Sequence, residues 1–109
     1  MANFAEKIAM NFLTKYRNSI SELCRQYNVL KLFAFGSVLT DKFNENSDVD
    51  LIVDFDKSAV KDHFINYFDF KYSLENIFGR PVDLLVNQQI RNKYLQKSIE
   101  NSKIEIYGR

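Results

Sequence analysis

Cysteine, proline, glycine and tryptophan are scarce in this chain of 109 residues, which has one cysteine, one proline, three glycines and no tryptophan. A single cysteine excludes an intrachain disulfide bond and suits a reducing compartment. Because glycine and proline are so few, no segment of the sequence resembles a linker between domains. We therefore expect one domain over residues 1–109, a length that is ordinary for a single domain.

A strong charge of one sign is also missing. Fifteen basic and fourteen acidic residues leave a net charge of +1, whereas proteins that bind DNA or RNA usually have a clear basic excess. No apolar run approaches the ~18–20 residues of a membrane helix, and the N-terminus lacks the basic and apolar regions of a signal peptide. We expect a cytoplasmic protein that binds neither nucleic acid nor a membrane directly.

Apolar residues make up 46% of the chain, and they follow clear helical and strand patterns. Apolar spacings of three and four predict helices over residues ~4–27, ~59–78 and ~88–99. Ser58 and Asn87 are the expected N-caps of the second and third helices, and Gly79 is the expected end of the second. Short apolar runs predict strands at Leu32–Phe35, Val49–Phe55 and Val82–Val86, with Ile104–Tyr107 available for a final edge strand.

The lengths of the connections predict how the strands pair. Residues 37–47 are too few for a crossover helix, so the first two strands should be antiparallel neighbours. The long helix that follows allows the second and third strands to pair in parallel. The predicted fold class is α+β, with a small mixed β-sheet packed by helices mainly on one face. The predicted buried face of the long helix comprises Val60, Phe64, Tyr67, Phe68, the stem of Lys71, Leu74, Ile77 and Phe78.

Three aspartates occupy strand positions, although aspartate is a poor strand former. Asp48 and Asp50 are two residues apart, so they share one face of a strand at roughly 6–7 Å between Cα atoms. Asp83 opens the third strand and can reach the same place if that strand lies beside the second. At ~4 Å and an effective dielectric of about 20, each like-charge pair costs about 4 kcal/mol. A divalent cation removes this conflict, and carboxylate oxygens suit Mg²⁺ or Mn²⁺.

Gly36 and Ser37, which follow the first strand, have the features of a phosphate site. Glycine lets a ligand approach the backbone closely, and Ser37 adds a hydroxyl and the first amides of a helical turn. Each of these short patterns alone is common in ordinary turns. Together they predict a metal site beside a triphosphate site, which is the geometry of metal-assisted nucleotidyl transfer.

The same residues carry a resemblance to a known family. Gly36-Ser37, a gap of ten residues, Asp48-Val49-Asp50 and the later Asp83 resemble the motif of the DNA polymerase beta-like nucleotidyltransferase superfamily. The chain as a whole is similar to the minimal nucleotidyltransferases of that superfamily. This resemblance implies that Asp48 and Asp50 bind the metals, and that Asp83 completes the metal site and assists deprotonation of the acceptor. It also implies that Gly36 and Ser37 hold the triphosphate of ATP.

The resemblance further implies a partner protein. Minimal nucleotidyltransferases are often antitoxins that add AMP to a tyrosine of a HEPN-type ribonuclease toxin, and an oligomer with that partner would follow. After Gly-Ser, many members have a small residue, a basic residue and a glycine, but this chain has Val38-Leu39-Thr40-Asp41-Lys42. Lys42 is therefore the basic residue left to contact phosphate. Two alternatives stay open: an antitoxin that acts by binding alone, and transfer to a small molecule or an RNA end.

Overall fold

The computed structural model describes residues 12–40 and 42–109. Helix α1 covers Arg17–Gln26 and follows a helical stretch at residues 12–15, while the predicted start of this helix lies outside the described residues. The long helix α2 covers His63–Phe78 and the last helix α3 covers Lys93–Ser102. The strands are β1 (Val29–Phe35), β2 (Val49–Phe55), β3 (Val82–Val86) and β4 (Ile104–Gly108).

The four strands form one mixed sheet in the order β3-β2-β1-β4. β1 is antiparallel to both β2 and β4, and β2 is parallel to β3. Both predicted pairings are therefore confirmed, and so is the final edge strand. Among the helices of the described residues, none is long and apolar enough to cross a membrane.

The main core lies between one face of this sheet and the helices α1 and α2. Leu51 and Val53 of β2 are fully buried there with Phe70 of α2 and Ile20 of α1. Each such side chain contributes about 1.5–3 kcal/mol by leaving water. Cys24 is also fully buried in this core. Burial raises the pKa of its thiol to about 12, so it acts as a small apolar residue.

The second face of the sheet is covered by the end of α3. Ile52 points away from Leu51 and Val53, yet it is fully buried without belonging to the main core. Ile99 of α3 is buried in the same way. Lys103, the residue after α3, places Nζ 4.2 Å from the ring centre of Phe33, the β1 partner of Ile52. The helices therefore pack mainly on one face, with α3 on the other.

The predicted start of the long helix is wrong. α2 begins at His63, and its N-cap is Asp62, whose carboxylate accepts the Ile65 amide at 3.0 Å. The Ser58 hydroxyl instead donates to the Asp56 carboxylate at 2.7 Å. A carboxylate two residues earlier thus offers Ser58 a local turn, which competes with helix capping. The predicted helix end is confirmed, because Gly79 adopts the left-handed conformation with φ 67°.

The bounds of β1 and α3 also differ from the prediction. β1 begins three residues earlier than expected, at Val29. α3 is capped by Asn92, which accepts the amides of Tyr94 and Leu95, whereas Asn87 starts a short 3₁₀ turn. Two asparagines five residues apart offer the same capping chemistry, so the sequence pattern could not distinguish them.

The predicted buried face of α2 is partly wrong as well. Phe64, expected in the core, is 72% exposed, whereas Phe70, Leu74 and Phe78 are the buried residues of the helix. Large apolar residues occur nearly all round this helix, so the sequence alone does not define one stripe. A row of aromatic side chains consequently remains on its outer surface, and this row contributes to a groove described below.

Candidate active site

The parallel pairing of β2 with β3 brings two of the predicted acids together. Asp50 and Asp83 are register partners, so their side chains leave the same face of neighbouring strands, which lie about 4.8 Å apart. Asp48 lies just before β2 and is exposed, as is Asp83, whereas Asp50 is half-buried. The pattern in the sequence had predicted this juxtaposition on condition that the two strands are neighbours.

Gly36 lies directly against the Asp50 carboxylate. The residue before it, Phe35, is the β1 partner of Asp50, and Gly36 turns the chain with φ 73°. A Cβ at this position would stand 3.1 Å from the Asp50 Cγ and closer still to a carboxylate oxygen. Both the positive φ and the close approach therefore require glycine here.

Ser37 connects the turn to two of the aspartates. It lies in a 3₁₀ turn over Gly36–Leu39, which is the short helical turn that the sequence predicted. Its hydroxyl donates to the main-chain oxygen of Asp48 at 3.3 Å, and its backbone amide acts to lower the pKa of the Asp50 carboxyl group. This amide thus favours a negatively charged oxygen, which is the type of partner that a phosphate would offer.

Burial and two neighbouring acids affect the carboxyl group of Asp50. Burial raises the pKa of its carboxyl group above the ordinary aspartate value, and the charges of Asp83 and Asp48 act in the same direction. The hydrogen bond from the Ser37 amide opposes this shift. The ionised form of Asp50 is therefore disfavoured until a positive charge is supplied.

The chemistry of the three carboxylates fits a hard divalent cation. Carboxylate oxygens suit Mg²⁺ or Mn²⁺, which commonly keep several waters and bind through only one or two carboxylates. Within residues 12–40 and 42–109, no three His, Cys, Asp or Glu side chains are placed so that together they could hold a metal ion. Because Asp48 and Asp83 are exposed, their side chains are free of the packing that would hold them in one rotamer.

Lys42 is the third residue, after Gly36 and Ser37, for which the sequence predicts a phosphate contact. It is exposed in the loop between β1 and β2, and its backbone amide donates to the Thr40 hydroxyl at 3.2 Å. No ion pair joins it to any of the three candidate aspartates in the described part of the chain. The structure thus brings Gly36 and Ser37 to the acids, whereas it pairs Lys42 with none of them.

Arg80 is a residue of this region that the sequence could not place. Its Nη1 donates to the main-chain oxygens of Asn44 and Ser47, at 2.9 and 3.0 Å. Its guanidinium also lies 5.0 Å from the ring centre of Phe12 and 4.6 Å from that of Phe43. Arg80 therefore fastens the loop that leads into Asp48. All of its partners are distant in sequence, so no local pattern could have revealed this role.

Two residues of α2 seal the outer edge of β3 beside Asp83. The Tyr67 hydroxyl donates to the Leu84 carbonyl at 2.6 Å, and the Glu75 carboxylate accepts the Val82 amide at 2.9 Å. Burial raises the pKa of Tyr67, with the Asp83 charge adding to the effect. These bonds satisfy groups that an edge strand would otherwise leave open to another chain.

A mixed sheet that places a Gly-Ser turn against paired aspartates is typical of enzymes that transfer nucleotidyl groups. Residues 16–106 match the family described as "Nucleotidyltransferase domain". The chain therefore belongs to that family and is an enzyme of the nucleotidyltransferase class. A protein of Methanocaldococcus jannaschii, named as a candidate protein adenylyltransferase, is 36% identical over 81 residues, which are 74% of this chain and 80% of that protein.

Solved structures share the fold. A candidate minimal nucleotidyltransferase superposes with a TM-score of 0.71 at 24% identity, over 87% of this chain and 93% of that one. The complex of a tri-AMPylated Shewanella oneidensis HEPN toxin with an MNT antitoxin contains a similar chain, with a TM-score of 0.62 at 19% identity. That match covers 89% of this chain and 73% of the other. At these identities the likeness establishes the fold alone.

Proposed function

We propose that this protein transfers AMP from ATP to a hydroxyl group of a partner protein, a HEPN-type toxin, and thereby acts as its antitoxin in the cytoplasm. The observation that carries the proposal is the pairing of Asp50 with Asp83 directly beside the Gly36–Ser37 turn. The name of the Methanocaldococcus jannaschii relative, a candidate protein adenylyltransferase, supports the choice of nucleotide. The solved complex with an AMPylated HEPN toxin supports the choice of partner.

The three aspartates have distinct roles in this proposal. Asp48 and Asp50 hold Mg²⁺ or Mn²⁺, and Asp83 completes the set of ligands. When bound, the cation neutralises the developing charge on the phosphate oxygens and orients the reacting groups. Asp50, whose pKa is raised by burial and by its acidic neighbours, is the carboxylate that gains most from a cation.

Residues of this chain are assigned to the binding of the triphosphate and to the removal of the acceptor proton. Gly36 and Ser37 hold the triphosphate against the turn through backbone amides and the Ser37 hydroxyl, and Lys42 approaches it from the loop. Asp83 accepts the proton of the acceptor hydroxyl. The acceptor oxygen then bonds to the α-phosphorus of ATP, the bond from that phosphorus to the bridging oxygen breaks, and pyrophosphate leaves. Asp83 is exposed, so an acceptor can approach it from solvent.

A second candidate function, an antitoxin that acts by binding alone, is favoured by one set of contacts. The Ser37 hydroxyl and amide are both engaged within the protein, so a triphosphate must displace them. After Gly-Ser and one small residue, many minimal nucleotidyltransferases have a basic residue and a glycine, whereas this chain has Leu39 and Thr40. Both facts would weaken ATP binding without affecting the fold.

The test is transfer of label from α-³²P-ATP, with Mg²⁺, to the protein encoded by the neighbouring gene, which we expect to be of the HEPN type. We expect a tyrosine of that protein to gain the mass of AMP, and the double variant Asp48→Asn, Asp50→Asn to abolish the gain. Asp54→Asn, on the same strand but distant from Gly36, is the matched control and should retain transfer. If the partner is neutralised without gaining AMP, and the double variant protects equally well, the protein acts by binding alone.

A further inference from the structure

A cavity of the described residues lies along the outer edge of β3, and none of the three candidate aspartates lines it. It has a volume of about 790 Å³, within the range of concave recognition sites. Its floor is Leu84–Val86, one wall is the first half of α2, and the other is formed by Ile90 and Leu95 at the start of α3. We name this cavity the β3-edge groove.

Apolar side chains of the groove are exposed to an unusual degree. Phe64 is 72% exposed and Leu95 is 42% exposed. The Phe64 ring also packs against Phe68 with 4.8 Å between the ring centres, and Phe68 packs against Tyr67 at 4.9 Å. Contiguous apolar surface of this kind, when rimmed by polar residues, marks a site of interaction rather than an ordinary surface.

The charged side chains that line the groove carry one sign. Lys57 and Arg91 line it, and no carboxylate does among the residues that the structure describes. The chain as a whole is nearly neutral, at +1, so this bias does not follow from composition. The groove therefore favours an apolar segment that also carries acidic side chains.

The position of the groove relative to Gly36 and the aspartates indicates which molecule would bind in the groove. Gly36 follows β1 and lies on one side of Asp50, whereas Asp83 and the groove belong to β3, on the other side. In-line displacement requires the attacking and leaving oxygens on opposite sides of the phosphorus. With the triphosphate at Gly36, the acceptor must arrive from the β3 side, and Leu84 follows Asp83 by about 3.3 Å along the strand.

We propose that the β3-edge groove is the docking surface for the acceptor protein, which inserts an amphipathic segment with apolar and acidic side chains. This inference rests on the proposed function for the position of the donor nucleotide. The apolar side chains of the segment contact Phe64, Val86 and Leu95, and its carboxylates meet Lys57 and Arg91. The docked protein thereby presents its hydroxyl group to Asp83 at the adjoining end of the strand.

The test uses two variants of the full chain, Phe64→Ala and Arg91→Glu, with the protein encoded by the neighbouring gene, expected to be of the HEPN type, as the probe. Tyr72→Ala and Lys97→Glu are matched controls, since both residues are exposed and neither lines the groove. Calorimetry measures affinity for the probe and, separately, for a non-hydrolysable ATP analogue. We expect Phe64→Ala to weaken probe binding about tenfold or more, as aromatic anchors do. Arg91→Glu should act in the same direction, and neither variant should change analogue affinity.

Each alternative outcome has a definite meaning. The inference is wrong if Phe64→Ala and Arg91→Glu bind the probe as the controls do, or if the wild-type chain does not bind it. Loss of analogue affinity with unchanged probe binding would assign the groove to the adenine base instead. If the groove variants lose probe binding but the wild-type chain transfers no AMP, the docking surface stands and the proposed enzymatic function fails.

Discussion

Replacing Asp50 with asparagine should stabilise the metal-free protein at neutral pH while abolishing AMP transfer. Asparagine has nearly the same shape, so it avoids a clash with Gly36, and its oxygen can still accept the Ser37 amide. The change removes one negative charge from a half-buried position beside Asp83 and Asp48, both of which raise the pKa of Asp50. The expected gain is thus the relief of like-charge repulsion and of the cost of burying a charge.

The size of the gain follows from the pairing of β2 with β3. Two charges about 5 Å apart in an effective dielectric of about 20 repel by roughly 3 kcal/mol. Asp83 and Asp48 are exposed, so screening by solvent reduces the expected gain to about 1 kcal/mol. For a domain of this size, this corresponds to an increase in Tm of roughly 4–6 °C.

The dependence on pH follows from the direction of the shift. A carboxyl group whose pKa is raised in the folded state opposes folding when it is ionised, and this cost disappears as the pH falls and the group is protonated. The advantage of Asp50→Asn should therefore be present at pH 7 and vanish below the ordinary aspartate pKa of about 4. Thermal unfolding at several pH values, without divalent cations, measures it.

Addition of Mg²⁺ should reverse the order of stabilities. A cation that binds only the folded state raises Tm, and this increase should be present in the wild-type chain and absent in Asp50→Asn. Asp54→Asn is the matched control, because Asp54 lies on the same strand opposite Lys31 and its loss relieves no acidic pair. The reasoning is refuted if Asp50→Asn lowers Tm at pH 7, or if Mg²⁺ stabilises both chains equally.

Four further predictions concern residues other than the aspartates. Gly36→Ala should lower AMP transfer at least about tenfold because its Cβ meets the Asp50 carboxylate, a loss of about 1.4 kcal/mol or more. Gly79→Ala tests backbone strain alone, because Gly79 has a similar φ but no atom within 4 Å of an added Cβ. It should lower the free energy of unfolding, measured in urea, by only about 1–2 kcal/mol. Arg80→Ala should lower the free energy of unfolding by about 2–3 kcal/mol. Arg80→Lys should recover little of this loss in the same urea assay, since an ammonium cannot reproduce the planar stacking. Cys24, with a pKa of about 12, should react with Ellman's reagent at pH 7 only after unfolding.

The sequence was a good guide to the sheet and to its acidic residues. Alternation in Val49–Phe55 places Asp50 and Asp54 on the face opposite the main core, where Ile52 is the one fully buried residue of the strand, and the structure gives this strand the predicted bounds. The short link after Gly36 and the long helix after Phe55 are sufficient to predict the directions of pairing, since chain reach limits both. The register that places Asp50 beside Asp83 followed from the position of each residue near the start of its strand.

Features that depend on competition between equivalent residues could not be predicted. Asp62 and Asn92 cap α2 and α3 in place of the expected Ser58 and Asn87, because all four side chains can accept an amide. The exposure of Phe64 was missed for a related reason, since aromatic residues surround α2 and only the packed structure selects its buried face. Contacts between distant segments, such as those of Arg80, leave no periodic signal.

Tyr67 joins the exposed aromatic row of α2 to the edge of β3 through a hydrogen bond. Its hydroxyl closes the Leu84 carbonyl, so a partner cannot simply extend the sheet by adding a strand at that carbonyl. Recognition at this edge must therefore rely on side chains, which is consistent with the exposed Phe64 and the basic rim formed by Lys57 and Arg91. A docking mode that uses side chains can be specific for one acceptor, and it leaves Asp83 accessible at the adjoining end of the strand.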